Sequence, residues 1–567
     1  MNKRRSAGWM WTTAFALVAV FASAVTSTRL SADEPAYDLL IRNGRIVDGT
    51  GNPWFYGDVA VRGDRIAAVG RVPDATARRT IDACGLVVSP GFIDIHSHSD
   101  FLLLEDGHAQ SKIRQGVTTE ILGEGSSAGP YTGQLPSPPA DVRGTPRHWS
   151  TLAEYFDLLE GAGVSLNVAS YVGLGNIWQC VMGTSFARPM PEQLAEMERL
   201  VEQAMNDGAL GLSSQLMMPP GSLATTDDVV ALCKVAARHG GIYSTHIRNE
   251  GSGVFESVKE AIEIGDRAKI PVDVIHLKIA DQKLWGRMSE IAALIDGARR
   301  RGINVQANVY PYTRGNNDLA SIIPPWAHEG GKEQLLARLN DAGARRRMKR
   351  EIRDGLPGWY NHFTAVGGDW GRMLISADNA YKGLTMDRVL SLRAAKRPAA
   401  DPLDELFDIL IEQGGSVGTV YAHHTEEDMD VALAQPWCSI GSDGSAYAIA
   451  GPLRRGNPHP RNFGTFPRVL GIYVRERNLL RLEDAVRKMT SLNAAKVGLR
   501  GRGLLAAGNF ADITLFDADR VIDRSTYTEP FQYNEGIEYV VVNGQVVLER
   551  GRHTGVTPGR ALRKDVR

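Results

Sequence analysis

The sequence predicts a parallel α/β fold, a (β/α)8 TIM barrel, with a small β-sandwich domain formed by the N- and C-terminal segments and an insert before the last barrel strand. Three observations predict it. The middle of the chain alternates short apolar runs with amphipathic helical stretches, the pattern of βαβ units. Those runs number eight, the strand count of such a barrel. The two ends have another texture: β-branched runs separated by glycine and asparagine turns, which read as antiparallel hairpins.

In chain order, residues 1–32 read as a signal peptide. Lys3, Arg4 and Arg5 precede an apolar stretch from Trp9 to about Phe21, and small residues follow at Ala22-Ser23-Ala24 and Leu30-Ser31-Ala32. The stretch is short for a bilayer span of about 20 residues. The expectation is therefore cleavage and export to the periplasm or beyond, with no stable membrane span afterwards; the alternative is a retained anchor. Residues 36–88 form the first part of the β-sandwich, with hairpin runs at 37–47 and 57–69. Residues 501–567 form the second part, with runs at 510–517 and 537–549; Asn543-Gly544 is a two-residue hairpin signal.

Residues 89–312 hold barrel strands one to seven, expected at 91–96, 119–124, 166–172, 209–214, 242–247, 272–277 and 303–309. Helical stretches lie between them, for example at 191–206, 226–239 and 253–268. The eighth strand, 438–442, belongs to the closing segment 423–500. The gap before it, about 130 residues, is too long for a structureless loop. Residues 313–422, which contain the apolar run 417–422, are therefore read as an inserted subdomain placed to act as a lid.

Composition removes several function classes. Of 567 residues, 64 are Lys or Arg and 65 are Asp or Glu, so no basic excess points to nucleic acid. The four cysteines, Cys84, Cys180, Cys233 and Cys438, form no CxxC pair and read as buried small apolar residues. Oligomeric state leaves no sequence signal.

The chemistry lies where polar residues interrupt the strands. His96 and His98 stand two apart at the end of the first strand, so both imidazoles share a face. His246 ends the fifth strand, His276 the sixth, and Asp443 follows the eighth. All five belong at the C-terminal rim, where barrel enzymes do chemistry. Imidazoles with a carboxylate suit zinc or a similar divalent ion, one or two in number. A single histidine is more often structural or solvated, and His108, His148, His239, His328 and His553 are read so; His423-His424 are read as structural or as supporting the site from behind. Lys278 and Arg248 lie two residues past His276 and His246 and are candidates to bind a substrate carboxylate. Tyr310 and Tyr312 flank the end of the seventh strand and are candidate donors to a tetrahedral oxygen.

Pro90-Gly91-Phe92-Ile93-Asp94-Ile95-His96-Ser97-His98, Gly116-Val117-Thr118-Thr119, Thr245-His246-Ile247-Arg248, His276-Leu277-Lys278, Tyr310-Pro311-Tyr312, Gly441-Ser442-Asp443-Gly444 and Gly464-Thr465-Phe466-Pro467-Arg468 resemble the amidohydrolase superfamily, in its N-acyl-D-amino-acid deacylase (D-aminoacylase) branch. Phe510-Ala511-Asp512-Ile513 and Val542-Asn543-Gly544 extend the resemblance to the tail. It implies a barrel with a β-sandwich, the insert, Lys278 and Tyr310 as substrate contacts, and metal-dependent hydrolysis of a linear amide, most plainly an N-acyl-D-amino acid. One departure stands out. The best-known D-aminoacylases carry Asn-Cys-Gly after the second strand, with the cysteine a metal ligand; here the stretch is Gly123-Glu124-Gly125-Ser126. Glu124 is the candidate ligand in its place, or else an acid that orients a ligating histidine. The expected metal set is His96, His98, Glu124, His246, His276 and Asp443. Asp443 is also the expected catalytic base, taking a proton from the attacking water and passing it to the leaving amine; a helix N-cap is its structural alternative. A cyclic amidase of the dihydroorotase or hydantoinase kind, or a dipeptidase of unusual linkages, remains open on the same constellation. An ester hydrolase and an inactive secreted binding protein are the readings from other classes.

Overall fold

The computed structural model describes residues 35–564 except Asp74, Pro139, Ala140, Arg143, Gly144, Arg147 and Lys396. The expected signal peptide therefore lies outside the described residues.

The eight apolar runs form parallel strands at Phe92–Asp94, Val117–Leu122, Asn167–Ser170 (resumed as Val172–Gly173), Gly211–Gln215, Ile242–His246, Val272–Val274, Val305–Val309 and Cys438–Ile440. Nearly every position in them is buried, as strands covered on both faces require. They make two parallel sheets of three and six strands. The sheets touch at both junctions. The Tyr171 amide donates to Leu122 O at 2.9 Å and the Leu210 amide to Ser170 O at 2.9 Å. At the other junction Ser97 bridges Gly444 in parallel, and the His98 amide donates to Gly444 O at 2.9 Å.

Several strands are shorter than the sequence pattern suggests. The ladder stops at Asp94, Val274 and Ile440, and the functional residues follow it. Backbone conformation explains two of these ends, because His276 (φ 36°) and Asp443 (φ 51°) occupy the left-handed region, which breaks an extended strand.

Helices cover the sheets for readable reasons. Pro191–Asn206 opens on proline and buries Met197, Leu200, Val201, Ala204 and Met205. Thr226–Arg238 starts with a capping box between Thr225 and Asp228.

Strands from both chain ends share one nine-stranded sheet, in which Ile513–Phe516 pairs antiparallel with Val87–Pro90. Its core packs Leu39, Ile41, Val59 and Val61 against Ile513, Leu515 and Val541. Ile537–Val542 and Gln545–Glu549 form a hairpin whose central residues, Asn543 (φ 47°) and Gly544 (φ 80°), adopt the left-handed pair that a tight turn of this twist demands.

Between the seventh and eighth parallel strands the chain builds a separate three-stranded sheet from Gly315–Asp318, Gly418–Tyr421 and Met373–Ile375, with its own core around Leu319, Met348, Phe407 and Tyr421. Cys180, Cys233 and Cys438 are buried, but Cys84 is exposed, a correction explained by its place just after the strand Ala77–Asp82 rather than inside it. No helix among the described residues is long and apolar enough to cross a membrane.

The approach of the fourth and fifth strands is close enough to demand glycine. A Cβ at Gly211 would stand 1.9 Å from Ile242 O. Gly211→Ala should cost about 2 kcal/mol or more as the strands part. A urea-unfolding midpoint equal to that of the parent would contradict this.

Candidate metal centre

The residues that follow the strand ends converge. His98 Nε2 lies 3.0 Å from Asp443 Oδ1 and 3.7 Å from Glu124 Oε2, and His96 Nε2 lies 3.6 Å from Asp443 Oδ1. Ring centroids are 5.1 Å apart for His96 and His98, 5.2 Å for His96 and His276, and 4.5 Å for His246 and His276. Donor atoms fall into two groups, each within 4.8 Å: His96, His98 and Asp443; and His246, Glu250 and His276. His98, Glu124, His246, His276 and Asp443 face a cleft of about 520 Å³. A larger cleft of about 960 Å³ elsewhere holds none of them. It is lined by Arg65, Arg238, Arg502 and Arg560, among others, and these four pair with Asp64, Glu202, Asp512 and Asp64 respectively.

Several donor atoms of this cluster find no partner in the protein. Both nitrogens of His96, and Glu124 Oε1, are buried without a hydrogen-bond partner. Buried polar atoms rarely stay unpaired, so these call for an ion or a ligand. His246 Nδ1 lies 3.3 Å from Ile247 O, which leaves its Nε2 as the free donor. Burial holds His96 well below the usual histidine range and His246 down to about 3, so both rings are neutral and keep a lone pair. Burial pushes Glu124 upward. Burial also works against the Asp443 carboxylate, but the Arg461 guanidinium and the neighbouring histidines win and hold it well below the carboxylate range.

Three further residues belong here that the sequence reading missed. Glu250 is buried with its Oε1 at 3.0 Å from His276 Nδ1 and 2.5 Å from Lys278 Nζ. Burial opposes its charge, yet Lys278 and His276 hold its carboxyl well below the ordinary glutamate value. Arg461 Nη1 lies 2.7 Å from Asp443 Oδ2, with its guanidinium 4.8 Å from the Tyr310 ring. His459 lines the cleft beside it. Arg461 opens the helix Arg461–Arg468, whose Gly464–Arg468 run carries the family likeness, and that proximity was the available signal.

The predicted substrate contacts separate. Tyr310 is buried with an unpartnered hydroxyl, as an anion donor should be. Tyr312 instead donates its hydroxyl to Asp523 at 3.1 Å. Lys278 sits behind His276, at 2.8 Å from its Nδ1. Arg248 is corrected: it does not line the cleft, and its guanidinium is held by Glu260 at 2.8 Å and by the carbonyls of Ser222 and Ala224. The two-residue step that aligned it with His246 ends with the strand at His246. His423 and His424 bond each other, and His424 Nε2 also reaches Tyr312 O at 2.8 Å. The cleft's outer wall comes from the inserted sheet, through Asn316, Asn317, Ser376 and Gly418.

The chain matches the amidohydrolase family over residues 79–548. It is 35% identical to a D-aminoacylase of Alcaligenes xylosoxydans xylosoxydans over 94% of this chain and 98% of that protein. It is similar to a crystal structure of an N-acyl-D-glutamate deacylase from Bordetella bronchiseptica complexed with zinc and a phosphonate mimic of the tetrahedral intermediate. That likeness has a TM-score of 0.76 at 31% identity and covers 93% of this chain and 99% of the other. A D-aminoacylase structure with a binuclear metal centre also matches, with a TM-score of 0.76 at 33% identity, covering 93% of this chain and all (100%) of the other.

Glu250 offers a pH test. Its carboxyl is depressed below the unfolded value of about 4.3. The stability it contributes is therefore complete above that value and is lost as the pH falls through the folded pKa. With metal chelated, Glu250→Gln should cost about 3 kcal/mol at neutral pH, since Lys278 is left buried and unpaired. The gap between parent and variant in urea midpoint should narrow below about pH 4. A gap that stays constant with pH would mean that the charge on Glu250 does not contribute.

Proposed function

The chain belongs to the amidohydrolase family, and on that footing we propose that it is a zinc-dependent hydrolase of linear amides, converting an N-acyl-D-amino acid to a carboxylate and a free D-amino acid. The observation that carries the reading is the convergence of His98, His246, His276, Glu124 and Asp443 on one cleft, with His96 buried beside Asp443 and both its ring nitrogens without a hydrogen-bond partner. The D-aminoacylase and N-acyl-D-glutamate deacylase relatives support the substrate class.

We read the two parallel sheets as one closed (β/α)8 barrel and the nine-stranded sheet as the β-sandwich. The contacts at Tyr171–Leu122 and Ser97–Gly444 support closure. Residues 313–422 are the lid.

In this reading His96, His98 and Asp443 would hold one zinc position and His246 and His276 the other, with Glu124, beside His98, as a further oxygen donor. Zinc supplies Lewis acidity there, making water acidic and the amide carbonyl electrophilic. The protein does the rest. Asp443 accepts the proton of the attacking water and returns it to the amine nitrogen, which leaves only when protonated. Arg461 and the neighbouring histidines keep its carboxylate unprotonated across neutral pH. Arg461, buried beside Asp443, receives the substrate α-carboxylate. The Tyr310 hydroxyl donates to the carbonyl oxygen as it gains charge. Glu250 holds the His276 ring through Nδ1, and Lys278 holds Glu250.

N-acetyl-D-amino acids should be hydrolysed in preference to their L-forms, hydantoins and isoaspartyl dipeptides. No turnover of any D-form ends the deacylase reading. Asp443→Asn should lower kcat about 10³-fold while the His246–His276 position keeps its zinc. Complete loss of zinc from that variant would recast Asp443 as mainly a ligand.

Export is the final part of the proposal, resting on the basic and apolar pattern of residues 1–32. N-terminal sequencing of protein from the periplasm or medium should begin near Ala24 or Ala32. An intact Met1 on cytoplasmic protein would remove the export claim.

A further inference from the structure

Beneath the His96–His98–Asp443 corner lies a lysine that the mechanism does not use. Lys112 belongs to the short helix Gln110–Ile113, and its side chain is wholly buried, with 0% of it exposed. A lysine is almost never buried so completely unless its charge is matched. Two carboxylates match it: Asp94 Oδ2 at 2.7 Å and Glu120 Oε1 at 3.0 Å. Burial alone pulls the amine down, but these two acids more than offset it, so it stays charged.

Its other contacts single it out. Lys112 Nζ donates to Ser442 Oγ at 2.8 Å and to Gly444 O at 3.0 Å, the residues on either side of Asp443. It also reaches Ser97 Oγ at 3.2 Å, between His96 and His98. The two segments are then tied to each other. Asp94 accepts the Ser442 amide at 2.8 Å and the Ser442 hydroxyl at 2.5 Å, and Ser97 bridges Gly444 in parallel. Glu120 accepts from Ser97 at 2.5 Å and from Ser99 at 2.9 Å. Asp443 itself carries a left-handed backbone (φ 51°), which an aspartate keeps only where its surroundings over-determine it. One ammonium therefore grips both neighbours of the strained aspartate and both flanks of His96, while lining no part of the cleft.

We propose that Lys112 is a positioning residue that locks Asp443 against His96 and His98, and so sets the geometry of one zinc position without touching zinc or substrate. This rests on the zinc site proposed above. Removing the amine leaves Asp94 and Glu120 in place but takes away its hydrogen bonds to Ser442 Oγ and Gly444 O, which loosens that turn against the His96–His98 segment.

The test is zinc binding by Lys112→Met, titrated against a competing chelator and read with zinc per chain, the circular-dichroism melt and the split of kcat from KM. The expected variant is folded and binds zinc as the parent does at the His246–His276 position. Its second, His96–His98–Asp443 position weakens at least tenfold. Its kcat falls tenfold or more, with KM within about twofold because Arg461 and Tyr310 are untouched. A folded Lys112→Met with parental zinc affinity at both positions and parental kcat overturns the role. If Lys112→Met does not fold, Ser442→Ala is read instead. It removes the hydroxyl shared by Lys112 and Asp94 and leaves the ion pair whole. Weaker zinc binding at the same position supports the inference, and unchanged binding overturns it. A parent chain that takes up no zinc overturns both the proposed function and this role. A zinc-binding parent with an indifferent variant overturns this role alone.

Discussion

Burying polar atoms without partners is the constraint around which the rim of this molecule is organised. An imidazole removed from water loses its hydration and must recover it from a protein group or an ion. Around His98, Glu124 and His246 the protein supplies part of that recovery, but both nitrogens of His96 are left with none. Four histidines and two carboxylates gathered so closely are a poor structural core and a good cation site. The neutral state forced on His96 and His246 by burial suits them to donate a lone pair, and the low pKa of Asp443 supplies the compensating negative charge.

A layer of satisfied charge lies under this unsatisfied one. Lys112 with Asp94 and Glu120 underlies the His96 side. Lys496 plays a comparable part near His276: its Nζ bonds Asp273 at 2.6 Å and Ser439 Oγ at 2.8 Å, and Asp273 accepts from Asn308 at 2.7 Å. Asn308 Oδ1 in turn accepts the His276 amide at 3.1 Å. Both His276 and Asp443 have left-handed backbones, and each of these two turns is anchored to a buried lysine–aspartate pair. Breaking a buried pair by removing one partner is costly, and this makes such pairs suitable anchors for a strained turn.

What was legible in the sequence follows from where the strand rule holds. Convergence of strand ends brings His96, His246, His276 and Asp443 together, because those residues sit on or just past a ladder. The same rule applied two residues further misplaces Arg248, since the chain has left the ladder at His246. It also brings Lys278 behind His276 rather than into the cleft, since the backbone turns at His276. Glu250 and Arg461 reach the centre from a loop and from a helix start, where no periodicity announces a direction. The large architecture was more readable than these details, because eight buried runs and two hairpin-rich ends are repeated patterns, whereas a single buried arginine is not.

Glu124 is the point at which this chain leaves the pattern of the D-aminoacylases it resembles. A thiolate is a soft, single-atom donor that favours zinc and holds it in a closed tetrahedral shell. A carboxylate offers two harder oxygens, and here they are used unequally: Oε2 approaches His98 at 3.7 Å, while Oε1 is buried and unpaired. Its place beside His98, on the wall of the cleft, makes it a candidate oxygen donor to the proposed centre. Burial pushes its carboxyl upward, opposed by the neighbouring His98 and His276. If Glu124 serves as the donor of the proposed centre, it offers that centre a harder atom than a thiolate would, beside the four histidines gathered there.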